Sequence, residues 1–208
     1  HAVMQFRYHQ KRSPMKEKVW GVFAHEVVAK YHPLVNDVNT RFDVPHSRWN
    51  QVSREQFDQA GLKVLVESRQ AGVHLATSAD GLRFVFFQGH PEYDTVSLMK
   101  EYKREVLRYA AGELRDYPPM PDNYLKLRER SIFNEYRYRL QQALDNDLEL
   151  PVFPEGLVNQ RLDNTWHDTA EAVVGNWIGL VYQVTHRDPR IPFMEGIDPD
   201  NPLGLSEI

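Results

Sequence analysis

Hydrophobic and polar positions along this chain alternate between two periods, near 3.6 and near 2, and the switches mark its elements. Ala2, Val3, Phe6 and Tyr8 predict a helix over 1–12, stopped by Pro14. Residues 18–28, around "VWGVF", read as a strand. Residues 41–49 form an extended segment with Pro45 inside it, which places it at an edge or near a strand end. Ser53 caps a short helix over 53–60 that Gly61 closes. Strands follow at 62–67, 73–77 and 82–88, the last two joined through Asp80-Gly81, a strong hairpin signal.

Leu98, Met99, Tyr102, Val106 and Tyr109 then recur at helical spacing over 95–111, ended by Gly112. The stretch 115–165 opens with the proline-rich "DYPPMPDNY". A charged helical pattern over 125–145 follows, with a thin apolar stripe from Leu127 to Leu144. This stretch reads as an insertion or connector. Thr165 to Asp168 has the form of a capping box. The wide apolar face Ala170, Val173, Val174, Trp177, Ile178, Val181, Val184 predicts a strong helix behind it, and the tail from Asp198 is irregular.

Composition narrows the classes. The 208 residues suffice for one domain with a sizeable core, and 41% hydrophobic with 26% charged residues is ordinary for a soluble globular protein. A net charge of −4 supplies no basic field for nucleic acid or an anionic membrane. The longest apolar runs are far too short to span a bilayer, and nothing reads as a signal peptide. Zero cysteines exclude disulfides and thiolate metal sites, and make the cytoplasm the default compartment. The chain starts at His1 and opens directly in a helical pattern, which reads as the downstream part of something longer.

Three constellations carry chemistry. "HEVVA" at 25–29 resembles the start of a zinc-protease helix, but Ala29 stands where the second histidine must be, so no metal site is expected. His90 and Glu92 follow a strand two positions apart, on one side of the chain. A carboxylate on one imidazole nitrogen fixes the tautomer and stabilises the imidazolium of proton transfer. The alternative is a turn carrying a surface histidine and an exposed glutamate. Such a pair activates a serine or cysteine nucleophile. No cysteine exists, and none of the available serines sits in a Gly-x-Ser-x-Gly elbow. In "VPHSRW", Ser47 and Arg48 suit a carboxylate-bearing ligand, though a surface arginine in a loop explains them equally.

In order, "KEKVWGVFAHEV" (16–27), "PHSRW" (45–49), "GVHL" (72–75), "GHPEYD" (89–94), "KEYKREV" (100–106) and "GNWIGLVYQVT" (175–185) resemble the homoserine O-acyltransferase family of methionine biosynthesis. The combination of "GHPEY" and "PHSR" is specific; "HPE" alone is shared with amidotransferases generally. The resemblance implies an α/β class I glutamine amidotransferase-like (flavodoxin-like) three-layer sandwich. Residues 1–208 would be the C-terminal part of that single domain. It implies His90 as general base, Glu92 as its orienting carboxylate, and Lys18, Ser47 and Arg104 as substrate contacts. Arg48 is added from its guanidinium chemistry.

The implied nucleophile is a cysteine on a strand-to-helix elbow a few residues upstream of His1. No cofactor would be bound; succinyl-CoA or acetyl-CoA would be the co-substrate of a ping-pong O-acylation of homoserine. The implied partners are the N-terminal part of the same protein and a second copy in a homodimer. Where the family often carries "WRSHG", this chain has Trp166-His167-Asp168-Thr169-Ala170, and 126–160 is longer than in familiar members, so serine or another hydroxy amino acid stays open as acceptor. A glutaminase domain is a second alternative. It is disfavoured by the 116 residues after Glu92 (208 − 92), because "HPE" falls near the end of such domains. A non-catalytic module of the same fold is a third.

Overall fold

A computed structural model describes residues 2–205. His1 and 206–208, where the first expected helix begins and the expected irregular tail ends, lie outside the described residues. The elements run α1 (Ala2–Tyr8), β1 (Ser13–Val27), β2 (Arg41–Gln51), α2 (Arg54–Gln59), β3 (Lys63–Ser68), β4 (Gly72–Thr77), β5 (Val85–Phe87), α3 (Ser97–Ala110), α4 (Leu127–Asp145), α5 (Glu155–Val158) and α6 (His167–Val184). They divide into two compact units. The first comprises His1–Val19, Phe23–Glu92 and Thr165–Ile208; the second comprises Trp20–Val22 and Tyr93–Asn164.

One sheet, ordered β2-β1-β3-β4-β5, organises the strands. The ladders β1–β3, β3–β4 and β4–β5 are antiparallel. Their connections explain the direction. The 69–71 turn and the 78–84 loop are hairpin lengths, whereas a parallel pair needs a crossover of a dozen residues or more. The α/β class is therefore present, with its described β3–β4–β5 edge built as a meander. The Asp80-Gly81 hairpin is longer than a two-residue turn. Asp80 Oδ1 accepts from Ser78 Oγ at 2.7 Å, Leu82 N at 2.8 Å and Arg83 N at 3.0 Å, and this closes the loop through a side chain.

Apolar clusters hold the first unit. Met4, Val52, Phe57, Leu62, Val64, Val73 and Ala76 bring α1 and α2 against β3 and β4. Val27, Leu34, Leu65, Val66, Leu75 and Val173 bring α6 to the same sheet. The expected cap of α6 is not made. Thr165 Oγ1 donates to Asp43 Oδ2 at 2.7 Å, and the helix starts at His167 with no side-chain cap. In the second unit Tyr102, Phe133, Tyr136 and Phe153 form an aromatic core, with Trp20 at 6.2 Å from Tyr102.

Candidate active site

His90 lies just past β5, and its place is set by hydrogen bonds at both ends. Its backbone N–H donates to Pro45 O at 2.8 Å, which ties the segment to β2. Its Nδ1 meets Glu92 Oε1 at 2.8 Å. A carboxylate can only accept, so the neutral imidazole carries its hydrogen on Nδ1 and Nε2 is its basic nitrogen. The imidazole is one-third exposed and Glu92 two-thirds exposed, so the pair opens to the surface. This is the arrangement in which an oriented imidazole takes a proton at Nε2 while the carboxylate stabilises the resulting cation.

Lys18 and Ser47 are half-buried on β1 and β2 of the same unit. Arg104 belongs to α3 in the second unit, where it is exposed and its Nε donates to Glu105 at 3.3 Å. There it lines a cationic groove of about 360 Å³ with Lys100, Lys103 and Arg108.

Arg48 departs from the picture of a ligand-facing fork. Ser47 and Arg48 are consecutive on β2, so they project to opposite faces. Arg48 is only 7% exposed, and all three guanidinium nitrogens donate inward. Nε donates to His46 Nδ1 at 3.3 Å, Nη1 to Asn50 O at 3.0 Å, and Nη2 to Ala71 O. Burial lowers its pKa to about 10.

Sequence reasoning noticed His25 only as a failed metal motif and did not single out His74; together with His46 these are three buried imidazoles of one cluster. The His25 and His46 rings stack at 5.1 Å with an interplanar angle of 6°, their Nε2 atoms 3.2 Å apart, and His74 meets both edge-on. His25 lies on a strand, not the helix that a zinc-protease motif requires. Among the described residues no group of acidic and histidine side chains is arranged to hold a metal ion. Burial dominates the electrostatics. It lowers His25 to about 4 against a partial lift from the Phe23 carbonyl and Asp43. It also lowers His46 and His74, where the nearby His25 and His90 imidazoles further disfavour a charge on either ring. The sequence signal was available for two of them: His25 and His74 each stand among apolar residues of a strand, where a neutral buried imidazole is the ordinary outcome.

An α/β protein with an oriented histidine–glutamate pair at a strand end is thus the class that fold and site define. Comparison with known sequences makes it particular. The profile of the family described as "HTS: Homoserine O-succinyltransferase" matches residues 1–187, and the chain belongs to that family. It is 63% identical over 205 residues to the homoserine O-succinyltransferase of Allochromatium vinosum, covering 99% of this chain and 57% of that protein. Identity is 63% over 206 residues to the protein of that name in Thiobacillus denitrificans, and 41% over 204 residues to that of Cardiobacterium hominis. The chain spans 57% and 56% of those two relatives.

Proposed function

We propose that this chain is the C-terminal portion of an enzyme that transfers a succinyl group from succinyl-CoA to the hydroxyl of homoserine, in methionine biosynthesis. The observation that carries the reading is the 2.8 Å contact between His90 Nδ1 and Glu92, which orients the imidazole and makes Nε2 its basic nitrogen. The relatives' shared name favours succinyl over acetyl as the acyl group. His90 is the general base and Glu92 holds its tautomer. The thiol that becomes acylated is not among these residues, which contain no cysteine. We assign it to the portion of the protein that the relatives' greater length represents, within a class I amidotransferase-like domain that assembles as a cytoplasmic homodimer.

In the first half-reaction His90 takes the thiol proton, the thiolate attacks the thioester carbonyl, and coenzyme A leaves as its thiol. In the second, His90 takes the homoserine hydroxyl proton and the alkoxide displaces the enzyme thiol. Lys18, Ser47 and Arg104 are assigned to substrate, with the cationic groove at Arg104 suited to a carboxylate. The inward donors of Arg48 favour a supporting role for it. Residues 115–165, which fall almost wholly in the second unit, are assigned as an insertion.

The test is intact-mass measurement of the full-length protein mixed with succinyl-CoA. A covalent succinyl adduct should form, and His90→Ala should slow it by about 10²–10⁴-fold. An adduct forming as fast in the variant would remove His90 from this role.

A further inference from the structure

We propose that Arg48, His46 and His25 form a directed hydrogen-bond relay that, with His74, positions His90 for proton transfer. The relay has one direction because its ends leave no choice. Arg48 Nε–H can only donate, so His46 Nδ1 is an acceptor and the His46 hydrogen sits on Nε2. That Nε2–H donates to His25 Nε2 at 3.2 Å, which places the His25 hydrogen on Nδ1. The Nδ1–H in turn donates to Phe23 O, at 2.8 Å, and a carbonyl can only accept. Each imidazole is neutral with one defined tautomer. A second proton on His46 or His25 would face another donor with nothing to accept it. The cluster is buried, with His46 fully enclosed and His74 only 4% exposed, so water does not repair a broken link.

The relay reaches His90 through two contacts. Pro45, next to His46 on β2, accepts the His90 backbone N–H at 2.8 Å. Gly89, the residue before His90, rests on the imidazoles themselves. A Cβ there would stand 2.9 Å from His46 Nε2, 2.9 Å from His74 Nδ1 and 2.5 Å from Val44 Cγ1. His74 Nδ1 is buried with no hydrogen-bond partner among the described residues and faces this backbone. The main chain that carries the His90–Glu92 pair is therefore seated on the cluster, and any shift of His46 moves the base. An ångström of misplacement at a reacting group costs about 10²-fold in rate. They are assigned as positioning residues because they act on His90 through its main chain.

The inference rests on the proposed role of His90, and a single-turnover experiment separates the two. Full-length protein is mixed with succinyl-CoA, and both the rate constant and the amplitude of acylation are read. His46→Phe keeps an aromatic ring, slightly larger than imidazole, and removes both hydrogen bonds. Its rate constant should fall about 10–100-fold while the amplitude stays near full. His46→Gln, whose amide offers one acceptor and one donor, should recover much of the loss. A merely structural role would lower the amplitude, the folded fraction, at an unchanged rate constant; that result overturns the relay. His90→Ala with wild-type acylation would overturn the underlying function instead. A measurement without any variant guards against misfolding of His46→Phe. Nitrogen-15 histidine spectra of the wild-type protein at pH 7 should show His46 protonated on Nε2 and His25 on Nδ1, both neutral. The opposite tautomers, or a charged imidazole at either position, would overturn the relay.

Discussion

Four histidines of this chain, His25, His32, His46 and His74, are buried and neutral, and this gives single side chains a hold on acid stability. Burial lowers His25 and His32 to about 4, with Lys63 adding to the effect on His32, and lowers His46 and His74 as well. Once unfolded, all four would titrate near 6.5. Between about pH 6.5 and 4 the unfolded chain therefore binds more protons than the folded one, and stability falls as pH drops. Each histidine contributes about 1.4 kcal/mol per pH unit in that window. Neighbouring charges modulate this without reversing it: Asp43 opposes the shift at His25, while Arg48 reinforces it at His25 and His46. Urea unfolding of the full-length protein at pH 7.5 and 5.5 should differ by on the order of 5 kcal/mol, lower in acid. A flat profile across that interval would contradict the neutral cluster.

Among the elements, α2 shows how local signals and packing combine. Ser53 Oγ accepts from Gln56 N at 3.3 Å and Gln56 Oε1 accepts from Ser53 N at 3.0 Å, a reciprocal capping box. Ser53→Ala should cost about 1 kcal/mol. Phe57, on the same helix, is 1% exposed within the cluster of Met4, Val64 and Val73, and Phe57→Ala should cost about 3–5 kcal/mol. The order of these two losses in thermal melts checks whether packing outweighs capping here. Gly21 sets a different constraint. Its φ is +149° and its Cα faces the backbone of Asp122, with which Trp20 and Val22 exchange hydrogen bonds at 2.9 and 2.8 Å. Gly21→Ala adds a collision to a strained conformation and should lower stability by about 3 kcal/mol, read as a shift in the urea midpoint.

These elements were legible because their signals are short-range. The periodicities behind α3, α4, β3 and β4 lie within each segment, and the observed ends fall within two residues of those expected. Thr165 missed its expected cap because a carboxylate on β2, far away in sequence, took its hydroxyl. The 82–88 strand shortened to Val85–Phe87 because Asp80 and Ser78 draw 82–84 into the hairpin loop.

At the scale of the whole molecule, chemistry and chain are separable. The described residues hold the oriented His90–Glu92 pair that is the proposed base, while the 208 residues hold no thiol. The isolated chain mixed with succinyl-CoA should therefore acquire no succinyl thioester, by intact mass before and after hydroxylamine. A hydroxylamine-sensitive adduct on this chain alone would refute the assignment of the nucleophile elsewhere.

The sequence by itself determined the periodic elements and the closeness of His90 to Glu92, because side chains two apart in a short turn stay within reach of each other whatever the rest of the fold does. Only the tertiary structure decided the antiparallel ladders, the inward turn of Arg48, and the joining of His25, His46 and His74 under Gly89. Those imidazoles lie on three different strands, and no local periodicity encodes which strands become neighbours. Strand pairing and burial bring them together, and burial then makes them neutral.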